Sequence, residues 1–428
     1  MPAALLMSSY QTAHYEDLPP RYHIFKWRVL LAFAGFYLFL YLGRFNFWPV
    51  APLVKEDLSL SNFEVGLVNA LLLWGFGLGD LVHGRLAETY GLRLWVMIGA
   101  ILTTVFNIIT SFATSAVTMA IPWGIAGFVN AACWAPGISM ISQWWPRKNR
   151  GMALGIVGTA AGGAMVTMWW ISGYVGAEWG WRASFRYPPI IIAVLGIAFY
   201  FISKDRPTDV NLPEYVEDDV VSATPESIDP ERLKGIGPYQ VLLGNSRFLL
   251  ACHVKGLENV VRYGLTTWVP IYYFEEGGLS IESTVLLTIL LPLGYLAAPP
   301  IAGIISDRYL GSRRQPMVIF SCTVSALVLV GIALAPPVNV MLGASLLLIG
   351  GLSMGISPMS TVAVDIAGRR MSGTASGLLD AHGYAYAGAQ ALIFAAVLDM
   401  AGSPWPIVFV VMAVTRVISG VMISRVRV

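Results

Sequence analysis

Two arginines carry the chemistry that the rest of the chain must position. Arg44 stands in Tyr37-Leu-Phe-Leu-Tyr41-Leu-Gly-Arg44-Phe-Asn46, with Pro52 eight residues further on. Arg262-Tyr263 repeats the pattern, again with a proline (Pro270) eight residues later, at an offset of 218 residues. Both arginines lie within long apolar runs. A guanidinium offers a planar fork of donors that grips an oxyanion in bidentate fashion. Deep in a hydrocarbon layer it is costly, so it turns toward a bundle interior or a water-filled cavity. Counted along a continuous helix from Arg28 at the headgroup level, Arg44 lies about 24 Å in. The pair predicts an anion site built by two equivalent halves.

Other buried polar groups leave alternatives open. Glu258 precedes Arg262 by one turn, a spacing that lets the two meet on one helix face. It either makes the arginine tolerable in lipid or acts as a coupling carboxylate that competes with substrate. Lys255 either contributes to the site or snorkels to the interface. Asp80, with His83 nearby, is either a structural hydrogen-bonding group or exposed to the cavity. Asp380 and His382 suit a proton-linked pair or a packing pair. Asn46 and Asn259 fit substrate binding or helix packing. Glycines such as Gly158, Gly162, Gly163 and Gly294 read as close helix contacts.

The elements that must hold these groups are membrane helices. The 428 residues are 56% hydrophobic and 12% charged, too apolar for a soluble chain of this size. Repeated apolar runs of 18 or more residues predict an all-α polytopic membrane protein. Twelve spans are expected near 27–52, 64–86, 94–113, 116–143, 151–176, 183–203, 247–272, 283–305, 316–335, 338–364, 372–398 and 403–424. They group as a tail (1–26), a six-helix bundle (27–203), a linker (204–246) and a second six-helix bundle (247–428). The linker holds Pro207, Pro213, Pro225, Pro230 and a run of acidic residues, a composition that cannot build a core. No signal-peptide pattern precedes the first span. Cys133, Cys252 and Cys322 lie in apolar segments and indicate neither disulfides nor a metal site. Of the lysines and arginines outside the spans, only Lys55, Arg182 and Arg186 fall on one face, with Arg416 the least certain of the rest. That bias places both termini and the linker in the cytoplasm.

Further landmarks support two pseudo-symmetric halves around a central cavity. Gly84-Arg-Leu-Ala-Glu88-Thr-Tyr-Gly91-Leu-Arg93 follows the second span, and Gly303-Ile-Ile-Ser-Asp307-Arg308-Tyr-Leu-Gly311-Ser-Arg313-Arg314 follows the eighth, at an offset of 219. Parallel halves facing a midplane cavity are a known transporter plan. These loops resemble the major facilitator signature, Gly-x-x-x-Asp-Arg-x-Gly-x-Arg. A narrower resemblance is to the organophosphate:phosphate antiporters. It rests on Tyr41-x-x-Arg44-x-Asn46, Trp134-Ala-Pro136, Trp144-Trp145 before Arg150-Gly151, Asp205-Arg-Pro-Thr-Asp-Val-Asn-Leu-Pro213, and Arg262-Tyr-Gly-x-x-x-Trp268-x-Pro270. The resemblance implies that Arg44 and Arg262 grip the anion, while Tyr37, Tyr41, Trp134 and Tyr384, with Asn259, line the cavity. Glu88, Arg93, Asp307, Arg308 and Arg313, at helix ends, would pair across the halves and hold one access state. The chain departs from the family where lysine, lysine and histidine are common; it has Phe45, Asp80 and the run Ala160-Ala161-Gly162-Gly163. Fewer positive groups and one added carboxylate imply a less negative ligand.

No nucleotide loop, metal-ligand cluster or nucleophile elbow is present, which argues against an enzyme, a cofactor or a nucleic-acid partner. The expectation is a monomeric plasma-membrane (inner-membrane) carrier of a small organic anion. It would work by exchange with phosphate or, alternatively, by proton coupling through Asp80, Glu258 or Asp380/His382. A ligand sensor of the same fold is the remaining class.

Overall fold

The computed structural model describes residues 12–13, 17–145, 147–215, 236–309, 315–357, 359–367, 371–400 and 404–425. Apolar composition turns nearly all of this into helix, because a bilayer leaves backbone polar groups no partner except each other. The first half runs through α1 (Pro20–Leu40), α2 (Ala51–Asp57), α3 (Asn62–Tyr90), α4 (Leu92–Thr110), α5 (Ala116–Asn130), α6 (Trp134–Trp144), α7 (Arg147–Trp179), α8 (Trp181–Arg186) and α9 (Pro188–Ile202). After α10 (Gly237–Leu243), the second half comprises α11 (Ser246–Glu275), α12 (Ile281–Thr288), α13 (Leu290–Tyr309), α14 (Gln315–Leu334), α15 (Val340–Gly355), α16 (Met359–Ala367), α17 (Ser372–Leu398) and α18 (Trp405–Ser424). Among the described residues, ten stretches are long and apolar enough to cross a membrane. Within the halves, α3 packs on α5, α4 on α9, α13 on α15 and α14 on α18. Between them, α3 meets α17, and α7 meets α12 and α13.

The first crossing is not the continuous helix expected for 27–52. After α1 the chain forms a single 3₁₀ turn (Tyr41–Gly43), passes through Arg44 to Phe47, and makes a second 3₁₀ turn (Trp48–Val50) before α2. Pro49 and Pro52 supply the reason: each lacks an N–H, and the ring of each crowds the preceding turn. In α11 a lone Pro270 is absorbed within a 30-residue helix. The two arginines therefore sit in different backbones despite their equal spacing.

Asn107 of α4 holds the break together. Its Nδ2 donates to the Gly43 and Thr103 carbonyls at 2.8 Å each, and its Oδ1 accepts from Asn46 Nδ2 at 3.1 Å. Asn46 Nδ2 also donates to the Ser184 carbonyl at 3.0 Å. Asn46 is thus structural, the packing alternative of the two.

The halves are fastened at the end away from the chain termini. Lys55 Nζ lies 2.5 Å from Glu275 and 2.6 Å from Asn62 Oδ1. Asp399 accepts from the backbone N–H groups of Asn62 and Phe63 at 3.1 and 2.8 Å, so the C-terminal end of α17 caps the N-terminus of α3. Deeper in, Asn69 donates to Thr267 and Trp169 donates to Thr288. Farther toward the other end, Trp74 Nε1 donates to the Ala385 carbonyl. Beyond it, Gly155, Gly158 and Gly377 face open space. Gly294 does press on α15, where an added Cβ would lie 2.5 Å from the Leu352 nitrogen, as expected of a packing glycine. Gly158 instead helps keep a cavity open.

The linker is more ordered at its ends than its composition suggests. Asp205 accepts from the backbone N–H groups of Leu92 and Arg93 at 3.2 and 2.9 Å, capping α4. Leu242 of α10 is buried against the second half.

Replacing Asn107 by leucine keeps the branched shape at a larger volume and removes the donor to the Gly43 carbonyl. Such a loss costs about 1–3 kcal/mol. Thermal unfolding of the detergent-solubilised Asn107→Leu variant should show a lower midpoint than wild type; an unchanged midpoint would mean that the break needs no cap.

Candidate functional site

A cavity of about 280 Å³ opens between the halves. Helix α11 supplies Lys255, Glu258, Asn259 and Arg262 to its wall, and α7 presents the small residues Gly158, Ala161 and Gly162 opposite. Tyr41, Tyr295, Ser357 and Arg416 complete the polar lining. Four charged groups in one apolar bundle need partners, since a buried charge without one is strongly destabilising.

Most of them have one. Arg416 of α18 is 1% exposed and lies 3.3 Å from Glu258 through Nη1. Its Nε and Nη2 donate to Ser325 and Ser321 at 2.7 Å each. Glu258 also accepts from the Ser357 hydroxyl at 2.5 Å. The one-turn spacing to Arg262 therefore misled: the closer partner of Glu258 comes from another helix. Arg416 likewise sits deep inside the last span, away from the loop face to which it was counted. Lys255 Nζ lies 3.8 Å from Asp380 of α17, facing the cavity rather than the interface.

Arg262 is the exception. Among the described residues it has no ion-pair partner, and its buried Nε has no hydrogen-bond acceptor. Its neighbours are aromatic, with the Tyr295 and Tyr263 rings 5.0 and 5.9 Å from its guanidinium carbon. Cation–π contact of this kind holds a cation in place without neutralising it.

Arg44 is withdrawn from the cavity wall. Its guanidinium carbon lies 3.2 Å from the Phe76 ring centroid and 4.3 Å from that of Phe45, and it donates to the Tyr384 hydroxyl. Tyr263 donates to the same hydroxyl at 3.2 Å. Tyr41, Tyr263 and Tyr384 lie within electrostatic range of both arginines. Asp80 of α3 lies within that range of Arg44 and of Asp380.

Other expected residues take different places. Of the expected aromatics, Tyr41 lines the cavity, Tyr37 meets it edge-on at 5.8 Å and is tilted against Trp134 at 4.8 Å, and Tyr384 caps Arg44. Asn259 lines the cavity and is 4% exposed. Asp380 and His382 do not face each other, as positions two apart on a helix never do. His382 Nδ1 is 2.9 Å from the Leu378 carbonyl oxygen, and its ring faces His253. His83 is held between the Phe128 carbonyl and Trp95 Nε1, a structural placement. Arg93 binds the Ser203 carbonyl and the Tyr200 ring, within the first half rather than across to the second. Arg313 and the side chains of Glu88, Asp307 and Arg308 lie outside the described residues.

Tyr263, Tyr295, Ser357 and Arg416 went unassigned in the sequence. Arg416 had a signal, since it interrupts an apolar run in the way Arg44 does. Tyr295 and Ser357 carry none that separates them from packing residues.

Two helical halves around a midplane cavity with a cationic wall define a membrane carrier, not an enzyme. A family model described as Major Facilitator Superfamily matches residues 33–388 and 286–427, and the chain belongs to that family. The glycerol-3-phosphate transporter of Bacillus subtilis is 28% identical over 369 residues, covering 83% of this chain and 81% of that protein. A probable hexose phosphate transport protein of Chlamydia trachomatis is 25% identical, covering 69% and 68%. Among solved structures, a bacterial homologue of the human lysosomal transporter Spinster, inward-facing and occupied, superposes with a TM-score of 0.71. It is 15% identical and covers 94% of this chain and 96% of its own.

Breaking the Glu258–Arg416 pair from one side should be far worse than removing both. Glu258→Ala strands a buried guanidinium, an effect of about 3–5 kcal/mol, whereas a paired apolar replacement such as Glu258→Met/Arg416→Met is often neutral or stabilising. Unfolding curves of the two variants in detergent should differ in that order; equal losses would show that the pair is not coupled.

Proposed function

We propose that the protein is a secondary active transporter that carries a small organic anion across the plasma membrane by alternating access, in exchange for inorganic phosphate. Arg262 supports this most directly: a guanidinium in a cavity wall, without a carboxylate partner among the described residues, suits an anion. Two phosphorylated-metabolite transporters among the relatives agree with an anionic substrate. Charge bias along the sequence supports a cytosolic tail and linker.

In this reading the anion binds Arg262 first, from the open side near the termini. Arg44 then exchanges its Tyr384 hydroxyl contact for a ligand oxygen, which moves α1 and α17 toward the ligand. Two guanidinium groups brought to about 8 Å at an effective dielectric near 20 repel by about 2 kcal/mol. An occupied site removes that repulsion, so the loaded carrier closes and the empty one does not. Obligatory exchange follows from such differential binding.

A second reading has one observation behind it. Asp80 stands near Arg44 where lysine is common in the resembled family, and a carboxylate there can take a proton as substrate binds. Proton-coupled symport would use Asp80 in that role.

Proteoliposomes loaded with phosphate provide the test. Phosphate exchange by wild type should fall by about 100-fold or more in Arg262→Ala, the scale of a lost charge-assisted bidentate contact. If folded wild type shows no phosphate exchange, yet takes up an organic anion only with an inward proton gradient, and Asp80→Asn abolishes that, the proton-coupled reading replaces it.

A further inference from the structure

The pairing of charges around the cavity narrows the substrate beyond its being an anion, granted the transport reading above. Three cations and one carboxylate line the wall. Glu258 offsets Arg416, and Asp380, from behind, offsets Lys255. Arg44 stands off the wall, against the Phe45 and Phe76 rings and the Tyr384 hydroxyl. What remains unmatched on the wall, among the described residues, is a single positive charge, Arg262.

A ligand with one negative charge completes this set. A ligand with two would bring its second charge beside Glu258, which projects from the same helix one turn from Arg262, about 6 Å between Cβ atoms. In the open cavity no second unpaired cation lines the wall, among the described residues, to receive that charge. Glu258 spends acceptor capacity on Ser357 and Arg416, yet a carboxylate has about four lone-pair sites. The remainder face a cavity that also presents Asn259, Tyr41 and Tyr295. Such a wall suits hydroxyl groups on the ligand body.

We infer that the site selects a hydroxylated monoanion, of the sugar-acid carboxylate type, over the corresponding phosphate-ester dianion. Glu258 sets this selection by repelling a second negative charge and accepting from ligand hydroxyls. Inorganic phosphate enters such a site in its singly charged form.

Ligand titrations of the purified full-length protein in detergent test this at pH 8, where phosphate esters, with a second pKa near 6, carry two charges. The probes are two pairs: D-glucuronate against D-glucose 6-phosphate, and D-glycerate against glycerol 3-phosphate. In wild type the carboxylate of each pair should bind at least about tenfold more tightly, the scale of one unit charge a helical turn away in a partly desolvated site. Glu258→Gln should narrow or reverse the preference. Glu258→Gln/Arg416→Gln, which leaves no unpaired Arg416 to attract a second charge, should narrow it less than Glu258→Gln alone. Wild type carries the test even where a variant loses stability. Tighter binding of the esters, lost in Arg262→Ala, would overturn the charge assignment and leave the anion site standing. Failure of folded wild type to bind any of the four would overturn both.

Discussion

Everything in this molecule answers to the cost of placing a charge in hydrocarbon. An unpaired guanidinium is expensive there, and the fold spends ion pairs, serine hydroxyls and aromatic faces to settle four basic side chains. Arg416 receives a carboxylate and two hydroxyls, and Lys255 a carboxylate at longer range. Arg44 receives aromatic rings and a phenol, and Arg262, among the described residues, two rings. The gradient of neutralisation across these four is itself informative. Lys255 and Arg416, on the cavity wall, are matched by carboxylates, and Arg262 beside them has none among the described residues.

The broken first span serves the same requirement. A continuous helix would carry Arg44 on an unbroken cylinder, with no freedom for its backbone to shift. The two prolines open the helix where it passes the midplane, and Asn107 returns the hydrogen bonds that the break removes. Irregular backbone at membrane depth survives only where protein or a cavity satisfies it. Here Asn107, Asn46 and the Ser184 carbonyl do so from inside the first half. The break is thus stiff on its packed side and faces the second half with Arg44 and Tyr41.

Much of the fold and part of the site was legible in the residues. Apolar runs of bilayer length reveal helices, and buried arginines reveal themselves because lipid tolerates so few. Pairing was not legible. Glu258 and Arg262 sit four apart on one helix, which suggests contact, but the three-dimensional bundle brings Arg416 from α18 closer. Local spacing cannot show which helix lies across a groove. Asp380 and His382 illustrate the reverse: adjacency in the sequence implied a pair, and helical rotation sent one toward Lys255 and the other toward His253. Nor could spacing show that Pro270 would be absorbed while Pro49 and Pro52 together would break a helix.

The asymmetry between the two ends connects charge matching to movement. At the far end the halves meet through Lys55–Glu275 and through Asp399 on the start of α3, contacts that are short and partly exposed to water. Exposed contacts of this kind are individually weak, on the order of 1 kcal/mol or less. They hold the closed end without trapping it. At the open end, small residues of α7 leave the space that Arg262 faces. In the proposed function, an anion on Arg262 would draw the walls together at this end by an interaction formed in low dielectric, where it is worth more than a surface pair. A strong contact made inside can therefore outweigh weak contacts at the rim. On that proposal, the conformational balance would depend on whether Arg262 is occupied, because ligand binding changes the electrostatics most at that cation.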